Sequence, residues 1–226
     1  MATHLDLEEQ EQIDQLKHFW NTWGTLITSV LLVVFAALAG WNGYQFWQKR
    51  QAVQASALEF AVTAALTAKD QTRLDLAFGE LKDKYAGTTQ AAQSALLVAK
   101  TAVDAGKLDD AQVALLWVAE KGADEGYKAL AKLRLSAVLE QQKKYDEGLK
   151  ALEAGMPESF AGLQADRRGD LLAAQGKAQE AVVQYQNAYK ALDKNLDYRH
   201  LVEFKLNALG AAPEVVALVK TTPSEK

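Results

Sequence analysis

The sequence predicts an all-α protein in which a single N-terminal transmembrane helix precedes a solenoid of helical hairpins. Residues 19–48 carry no formal charge, and beyond them small residues followed by large apolar ones recur at intervals near 34 residues. Strand signals are nearly absent, since no segment alternates apolar and polar residues between tight turns. We therefore divide the chain into an acidic tail (1–18), a transmembrane helix (19–48) and a helical domain (49–226).

The uncharged segment is long enough to cross a bilayer. A helix of about 20 apolar residues spans a hydrocarbon core of about 30 Å, and residues 25–39 are almost continuously aliphatic. Trp20 and Trp23 precede this block, whereas Trp41 and Trp47 follow it. Amphipathic rings prefer these two headgroup levels. The lipid bilayer is therefore a predicted partner.

The alternative for this segment is a cleaved signal peptide, because Ala37-Leu38-Ala39 has the small-x-small form of a cleavage site. A signal peptide begins with a positively charged region. Residues 1–18 instead hold five acidic side chains against Lys17 alone, which favours a retained anchor.

Charge alone does not fix the orientation of the anchor. Lys17 precedes the span and Lys49 with Arg50 follows it, so the local count leans slightly towards a cytoplasmic domain. The excess is one residue, and long domains are translocated with little regard to charge. The sequence contains no cysteine, which excludes disulfides and fits either compartment.

The membrane helix is predicted to continue outward as a soluble helix through about Ala68. Neither Gly nor Pro occurs between Tyr44 and Phe78, and both residues are the usual helix breakers. A flexible linker rich in Gly, Ser and Pro is missing here.

The helical domain carries a repeat. The small residues Ala77, Ala111, Gly148 and Ala181 are separated by 34, 37 and 33 positions, and each is followed four positions later by a large one: Leu81, Leu115, Leu152 and Tyr185. A small residue allows two helices to cross closely, and the large residue one turn later fills the gap between them. A period near 34 of this form is the signature of tetratricopeptide repeats, whose hairpins bury their apolar faces by stacking.

The predicted fold is therefore a tetratricopeptide-like α-solenoid, with an irregular helical bundle as the alternative. The aromatic and Pro positions of the strict repeat consensus are mostly absent, and the hairpin around Ala77 lacks the turn that precedes the others. Gly155 and Pro157 predict a further helix boundary. Trp117 is expected in the core.

Composition excludes several functions of the soluble part. Removing the three basic and five acidic residues of the first 50 from totals of 25 and 29 leaves 22 basic and 24 acidic residues. No polycation is present to hold nucleic acid. His4, His18 and His200 lie far apart, and there is no Cys nucleophile or Gly-rich phosphate loop. We predict no cofactor, no metal and no enzymatic activity.

Asp166, Arg167, Arg168 and Asp170 form the densest polar group of the sequence. The simplest interpretation is a solvated helix face, with Asp166 and Asp170 one turn apart and Arg168 paired with either neighbouring turn. A catalytic site is the less favoured interpretation.

A partner-binding surface is predicted on the first helix of each hairpin, because solenoid curvature makes these helices line a concave face. Counting back from the small residue of each second helix gives Glu59, Val62, Leu66, Gln93, Leu96, Lys100, Leu130, Leu133, Leu163, Asp166 and Asp170. This mixed lining suits a protein or peptide better than a small substrate. Inter-repeat packing is an equally good interpretation of Leu96, Leu130 and Leu133.

Several segments together resemble a known family. The span ends in Gly40-Trp41 and Trp47; residues 55–64 read Ala-Ser-Ala-Leu-Glu-Phe-Ala-Val-Thr-Ala; residues 165–170 resemble an Ala-Asp-x-Arg-Gly-Glu motif; and residues 205–209 resemble a terminal Lys-x-Asn-x-Leu. In this order and spacing the chain resembles the ancillary SecYEG translocon subunits, the YfgM-like proteins of Gram-negative inner membranes.

The resemblance implies a single-pass inner-membrane protein with a cytoplasmic N-terminus and a periplasmic tetratricopeptide-like domain. Its implied partners are the SecYEG translocon, a membrane-anchored periplasmic chaperone of the parvulin type and translocating client proteins. It implies a non-catalytic accessory subunit that passes translocated proteins to periplasmic chaperones. The alternative function is a membrane-tethered holdase that acts directly on unfolded clients.

Overall fold

A computed structural model describes residues 7–153 and 155–211 of the chain. These ranges consist of helices joined by short turns and contain no strand, which confirms the predicted fold class. A 3-10 turn over Glu158–Phe160 accompanies the following α-helices: α1 (Leu7–Ala68), α2 (Gln71–Lys84), α3 (Thr89–Asp104), α4 (Leu108–Lys121), α5 (Glu125–Gln141), α6 (Tyr145–Ala151), α7 (Ala161–Ala174), α8 (Ala178–Ala191) and α9 (Tyr198–Ala208). The described residues divide into two compact units, one ending at Gln51 and the other beginning at Ala52.

The first unit is an apolar helix whose side chains are exposed on every side. Its most apolar stretch has a mean hydropathy of 2.0, and only 6% of that stretch is buried. Polar side chains within it bond to the helix backbone: Thr28 Oγ1 donates to the Gly24 carbonyl at 2.7 Å, and Asn42 Nδ2 donates to the Leu38 carbonyl at 2.9 Å. Hydrocarbon offers no other partner for such groups. By length and composition, this helix can cross a membrane.

The second unit is a series of helical hairpins. The end of α1 precedes α2, and α3/α4, α5/α6 and α7/α8 form the next pairs, with α9 packed on α8. α1 ends at Ala68, as predicted. Side-chain caps begin several helices: Asp70 accepts a hydrogen bond from the Arg73 amide, and Asp124 accepts one from the Tyr127 amide. Such caps satisfy amides that lack a partner inside the helix.

The first helix of every hairpin, and α9, ends in the same turn. Its central residue has a positive φ, and the next amide bonds back to a carbonyl five residues earlier at 2.8–3.0 Å. This is the Schellman arrangement that closes many helices. The turn residues are Lys69, Gly106, Lys143, Gly176 and Gly210. They are separated by 37, 37, 33 and 34 positions, which is the period of the repeat.

The small and large residues of the repeat lie where the sequence predicts. Ala111, Gly148 and Ala181 are buried near the start of the second helix of their hairpins, whereas Ala77 in the first is only partly buried. The four large partners, Leu81, Leu115, Leu152 and Tyr185, are buried. At Gly148 an added Cβ would lie 3.0 Å from Leu171 Cδ2, so the close approach of α7 favours glycine there.

The solenoid core consists of separate apolar clusters. One fills the second and third hairpins and includes Leu115, Val118, Leu135 and Leu139, and Trp117 packs against it as expected. Another joins α7, α8 and α9 through Leu172, Tyr185, Ala188, Val202 and Leu206. Between them, Gln164 Nε2 donates to the Leu152 carbonyl and Gln175 Nε2 donates to Asp146 Oδ1. The predicted helix boundary near Gly155 and Pro157 lies between α6 and α7. We call this junction of the two clusters the seam.

Candidate partner-binding face and buried polar network

The predicted partner-binding surface is only partly accessible in the structure. Val62, Leu96 and Asp166 are 0%, 5% and 1% exposed, so their place on a binding surface is corrected. Val62 and Leu96 belong to apolar clusters that join neighbouring helices. The half-buried members are Glu59, Leu66, Leu130, Leu133, Leu163 and Asp170, and the exposed ones are Gln93 and Lys100.

Gln93 connects two hairpins. Its Nε2 is 2.7 Å from the hydroxyl of Tyr127 at the start of α5, so α3 and α5 are joined at their N-terminal ends. Leu130 packs against the cluster of the second and third hairpins. These two residues therefore have structural contacts that sequence alone did not distinguish from a binding role.

Three outward-facing residues of the first helices lie one position later than predicted. Phe60, Leu97 and Arg134 are exposed and directly follow Glu59, Leu96 and Leu133. Each of them occurs nine positions before a turn residue, as do Arg167 in α7, which is half-buried, and Leu201 in α9, which is exposed. One residue along a helix is a rotation of about 100°, which exchanges a core position for a surface one.

We define the first-helix face as the positions six and nine residues before each turn residue. It consists of Phe60, Thr63, Leu97, Lys100, Arg134, Ala137, Arg167, Asp170, Leu201 and Phe204. Equivalent positions of successive repeats line the same side of a solenoid. Phe60 and Phe204, in the first and last of these helices, are 77% and 70% exposed. The face thus has an exposed aromatic ring in each terminal helix and charged residues between them.

Asp166 belongs to a buried polar network that joins α7 to α9. Lys205 Nζ lies 2.8 and 2.9 Å from the two Asp166 carboxylate oxygens and 2.7 Å from Asp170 Oδ1. The Tyr198 hydroxyl donates to Asp166 Oδ2 at 2.5 Å, and the Tyr185 hydroxyl donates to Asp170 Oδ1 at 2.8 Å. Both oxygens of the buried carboxylate are therefore satisfied, as burial of a charge requires.

Arg167 extends this network to α5. Its guanidinium pairs with Glu140, donates to the Ser136 hydroxyl at 3.2 Å and lies 3.1 Å from Asp170 Oδ2. The network therefore crosses the seam between the two large apolar clusters. Charged groups here supplement the apolar contact of Leu171 with Gly148.

The structure overturns the solvated-face interpretation of the Asp166–Asp170 group. Asp166 is enclosed, and Arg167 makes the ion pairs that were expected of Arg168, whose Nε is buried without a hydrogen-bond partner in the described chain. The carboxylates are paired with cations or phenols and Asp166 is sealed from solvent. This arrangement fixes helices relative to one another. Sequence reasoning missed it because Lys205 lies 39 residues away along the chain.

The pKa values of two tyrosines in this network are raised. Burial is the main cause for both, and the hydrogen bonds to Asp170 and Asp166 add to it, so the Tyr185 and Tyr198 pKa values lie well above the ordinary phenol value. Both phenols thus remain protonated donors at neutral pH. No group of three potential metal ligands occurs among the residues that the structure describes.

Repeated hairpins of this kind, with terminal Schellman turns and small residues at the crossings, define a class of protein. The chain matches the tetratricopeptide repeat-like domain family over residues 17–211. It is therefore a member of that class of helical repeat proteins.

Comparison with curated proteins gives the family. The chain is 37% identical over 210 residues to the ancillary SecYEG translocon subunit of Neisseria gonorrhoeae, covering 92% of this chain and 100% of that protein. It is 29% identical over 168 residues to the ancillary SecYEG translocon subunit of Escherichia coli, covering 73% and 80% of the two chains. The chain belongs to the family of ancillary SecYEG translocon subunits, which confirms the resemblance seen in the sequence.

Proposed function

We propose that this protein is a non-catalytic accessory subunit of the SecYEG translocon, anchored in the inner membrane by one helix. The observation that carries the proposal is the match to a relative of that name along the relative's entire length. The exposed apolar helix of the first unit supports it, since so apolar a surface calls for lipid or protein cover.

In this proposal the tail 1–18 is cytoplasmic, residues 19–48 cross the membrane, and residues 49–226 form a periplasmic domain. Residues 1–6 and 212–226 lie outside the described residues. Tethering raises the local concentration of the domain beside the translocon, so weak contacts with passing chains suffice.

The first-helix face is the proposed contact surface for a membrane-anchored parvulin-type chaperone and for translocating clients. Exposed Phe60 and Phe204 supply the aromatic anchors that dominate binding at many protein interfaces. Lys100 and Arg134 supply charge between these anchors. The result is a surface suited to polypeptide.

Site-specific photocrosslinking tests the translocon association. A photoreactive residue placed at Leu26, Leu32 or Trp47 in the full chain should crosslink to SecYEG subunits in native membranes. The same residue at Val183, on α8, serves as the control and should give no such product. Absence of SecYEG adducts from all positions between Leu26 and Trp47 would refute the proposal.

Cysteine labelling tests the orientation. The natural sequence has no cysteine, so the exposed Lys194→Cys in the turn before α9 is a unique label site. A membrane-impermeant maleimide should label it in intact cells with a permeabilised outer membrane. Labelling that requires lysis of the inner membrane would place the domain in the cytoplasm.

The exposed apolar residues of the first-helix face also favour a second candidate function, a holdase that binds unfolded clients directly. The full chain in lipid nanodiscs should then suppress aggregation of a reduced, unfolding substrate at near-stoichiometric amounts. The Phe60→Ser/Phe204→Ser variant should lose this activity. An adaptor that only recruits a chaperone would show no suppression by the intact chain.

A further inference from the structure

A small apolar cavity lies between the first helices of the second and third hairpins. Its volume is about 320 Å³, and its apolar lining comes from α3, α4 and α5: Ala99, Val103, Leu115, Ala137 and Val138. Alanine at positions 99 and 137 leaves this space, because a side chain as large as leucine at either position would occupy much of it. A cavity of this size is at the lower end of the range for ligand pockets.

The rim of this cavity is cationic. The polar lining residues are Lys100, Arg134 and Gln141, and none of the lining residues is acidic. Lys100 is already paired with Asp104 at 2.6 Å. Arg134 is exposed and makes no ion pair within the part of the chain that the structure describes. A carboxylate arriving beside the cavity would therefore meet an uncompensated guanidinium.

A second groove, between α2, α3 and α4, has no net charge among its lining residues. It has a volume of about 380 Å³ and is lined by Phe78, Trp117 and other apolar residues. Its charged residues are balanced, with Asp75 and Asp110 against Lys82 and Lys107. The cationic rim thus distinguishes the first cavity, which we call the α3/α5 cavity, from this groove. It would favour an acidic partner over a basic one.

We propose that the α3/α5 cavity binds one large apolar side chain of an extended partner polypeptide, with an adjacent carboxylate of that polypeptide paired to Arg134. This inference rests on the proposed function, because it defines the chemistry that the first-helix face recognises. The apolar side chain supplies burial, and the carboxylate supplies selectivity against basic segments. The preferred partner segment is therefore acidic and apolar together.

Protection of a unique cysteine tests the cavity. In the full-length Ala137→Cys variant in nanodiscs, a nonapeptide Gly-Ser-Gly-Asp-Phe-Asp-Gly-Ser-Gly should slow maleimide alkylation in a saturable manner. The same peptide with Ala in place of Phe should not protect, and Lys194→Cys should react at an unchanged rate with either peptide. Equal alkylation rates of the Ala137→Cys variant with and without the Phe peptide would overturn the proposal.

Charge reversal tests the role of Arg134. In the Ala137→Cys background, Arg134→Glu should weaken protection by the acidic peptide by about tenfold and improve protection by its Lys-Phe-Lys counterpart. The matched control Lys194→Glu should leave both affinities unchanged. Equal protection by the two peptides in the Ala137→Cys variant that retains Arg134 would show that the cavity does not select for a carboxylate and would overturn the proposal.

The two proposals fail separately. Photocrosslinks from the membrane helix report the association with SecYEG, whereas alkylation at position 137 reports the cavity. Intact SecYEG adducts without peptide protection would refute the cavity assignment alone. Loss of the adducts with retained protection would refute the translocon assignment and leave a peptide-binding cavity.

Discussion

At the scale of single residues, the buried polar network determines how the C-terminal part of the solenoid is held. Asp166, Asp170 and Glu140 share the cations of Arg167 and Lys205, with Tyr185 and Tyr198 as neutral donors. A buried ion pair adds little net stability when intact, but removal of one partner leaves a costly uncompensated charge. The network therefore links α5, α7, α8 and α9 through contacts that are costly to break singly.

Lys205→Met should destabilise the domain strongly, because it leaves the enclosed Asp166 carboxylate without its cation. We expect the free energy of unfolding to fall by about 3 kcal/mol, measured by urea denaturation of the full chain in detergent. The matched change Lys100→Met breaks an exposed pair with Asp104 and should cost less than about 1 kcal/mol. Equal losses in the two variants would contradict a special role for the network.

The raised pKa values of Tyr185 and Tyr198 predict a loss of stability in alkali. In the unfolded chain the phenols ionise near pH 10, whereas the folded protein keeps both protonated. The unfolded state therefore releases protons first, and stability falls as the pH rises above about 10. Unfolding curves from pH 8 upward should show this decline, and a Tyr185→Phe/Tyr198→Phe variant should show a shallower one. An identical slope would refute the assignment.

At the scale of elements, the sequence predicted the repeated hairpins well. It predicted poorly which side of each first helix faces solvent. Positions such as Ala111 and Leu115 reveal the second helices, because close crossings tolerate only small residues. The turns at Lys69 and Lys143 could not be predicted, since lysine gives no signal of a positive φ. Without the turns as reference points, several predicted surface positions, Leu96 and Asp166 among them, fell one residue before the exposed or half-buried ones. Lys100 and Asp170 remain on it, and their role in partner binding remains a prediction.

The turns with a positive φ provide a test of whether successive hairpins end in equivalent turns. Lys143 has a φ of 61°, a conformation that glycine adopts without the steric cost of a Cβ. Lys143→Gly should therefore raise the free energy of unfolding by up to about 1 kcal/mol. Gly106→Ala, at the equivalent turn of the second hairpin with φ 72°, should lower it by about 1 kcal/mol. The same sign for both changes in denaturation experiments would contradict equivalent turns.

The close crossing of α7 and α8 gives a second test. A Cβ on Gly169 would lie 2.5 Å from the Tyr185 ring, so Gly169→Ala should cost about 1–3 kcal/mol through overpacking. Gly79→Ala in α2 meets no atom within 4 Å and should instead stabilise its helix by up to about 1 kcal/mol. Thermal unfolding of both variants would show opposite shifts, and a neutral Gly169→Ala would argue against the close contact.

At the scale of the whole molecule, a membrane helix and a repeat domain are encoded by different kinds of signal. The span is evident from composition alone, since 30 consecutive residues lack charge. The domain requires periodicity, because no single hairpin buries its own apolar face. Contacts between distant residues, such as Asp166 with Lys205, follow only from the stacked structure.

Membrane integration should depend on the centre of the span. Leu32→Arg places a cation among aliphatic residues and should cost about 2.5–3.5 kcal/mol of insertion free energy. Phe46→Arg lies near the aromatic end, where the side chain can reach the interface, and should cost much less. Alkaline carbonate extraction should release the first variant and retain the second. Release of both to the same extent would argue against a span centred near Leu32.

The recurrent Schellman turn also has an evolutionary consequence. The first helix of each hairpin, and α9, ends in the same hydrogen-bonded turn. A duplication or loss of the 33 to 37 residues between two such turns therefore leaves compatible ends. A deletion of a few residues within a helix would instead rotate the remaining positions of that helix by about 100° per residue. A second copy of one repeat inserted between two such turns would thus meet the same turn geometry before and after it.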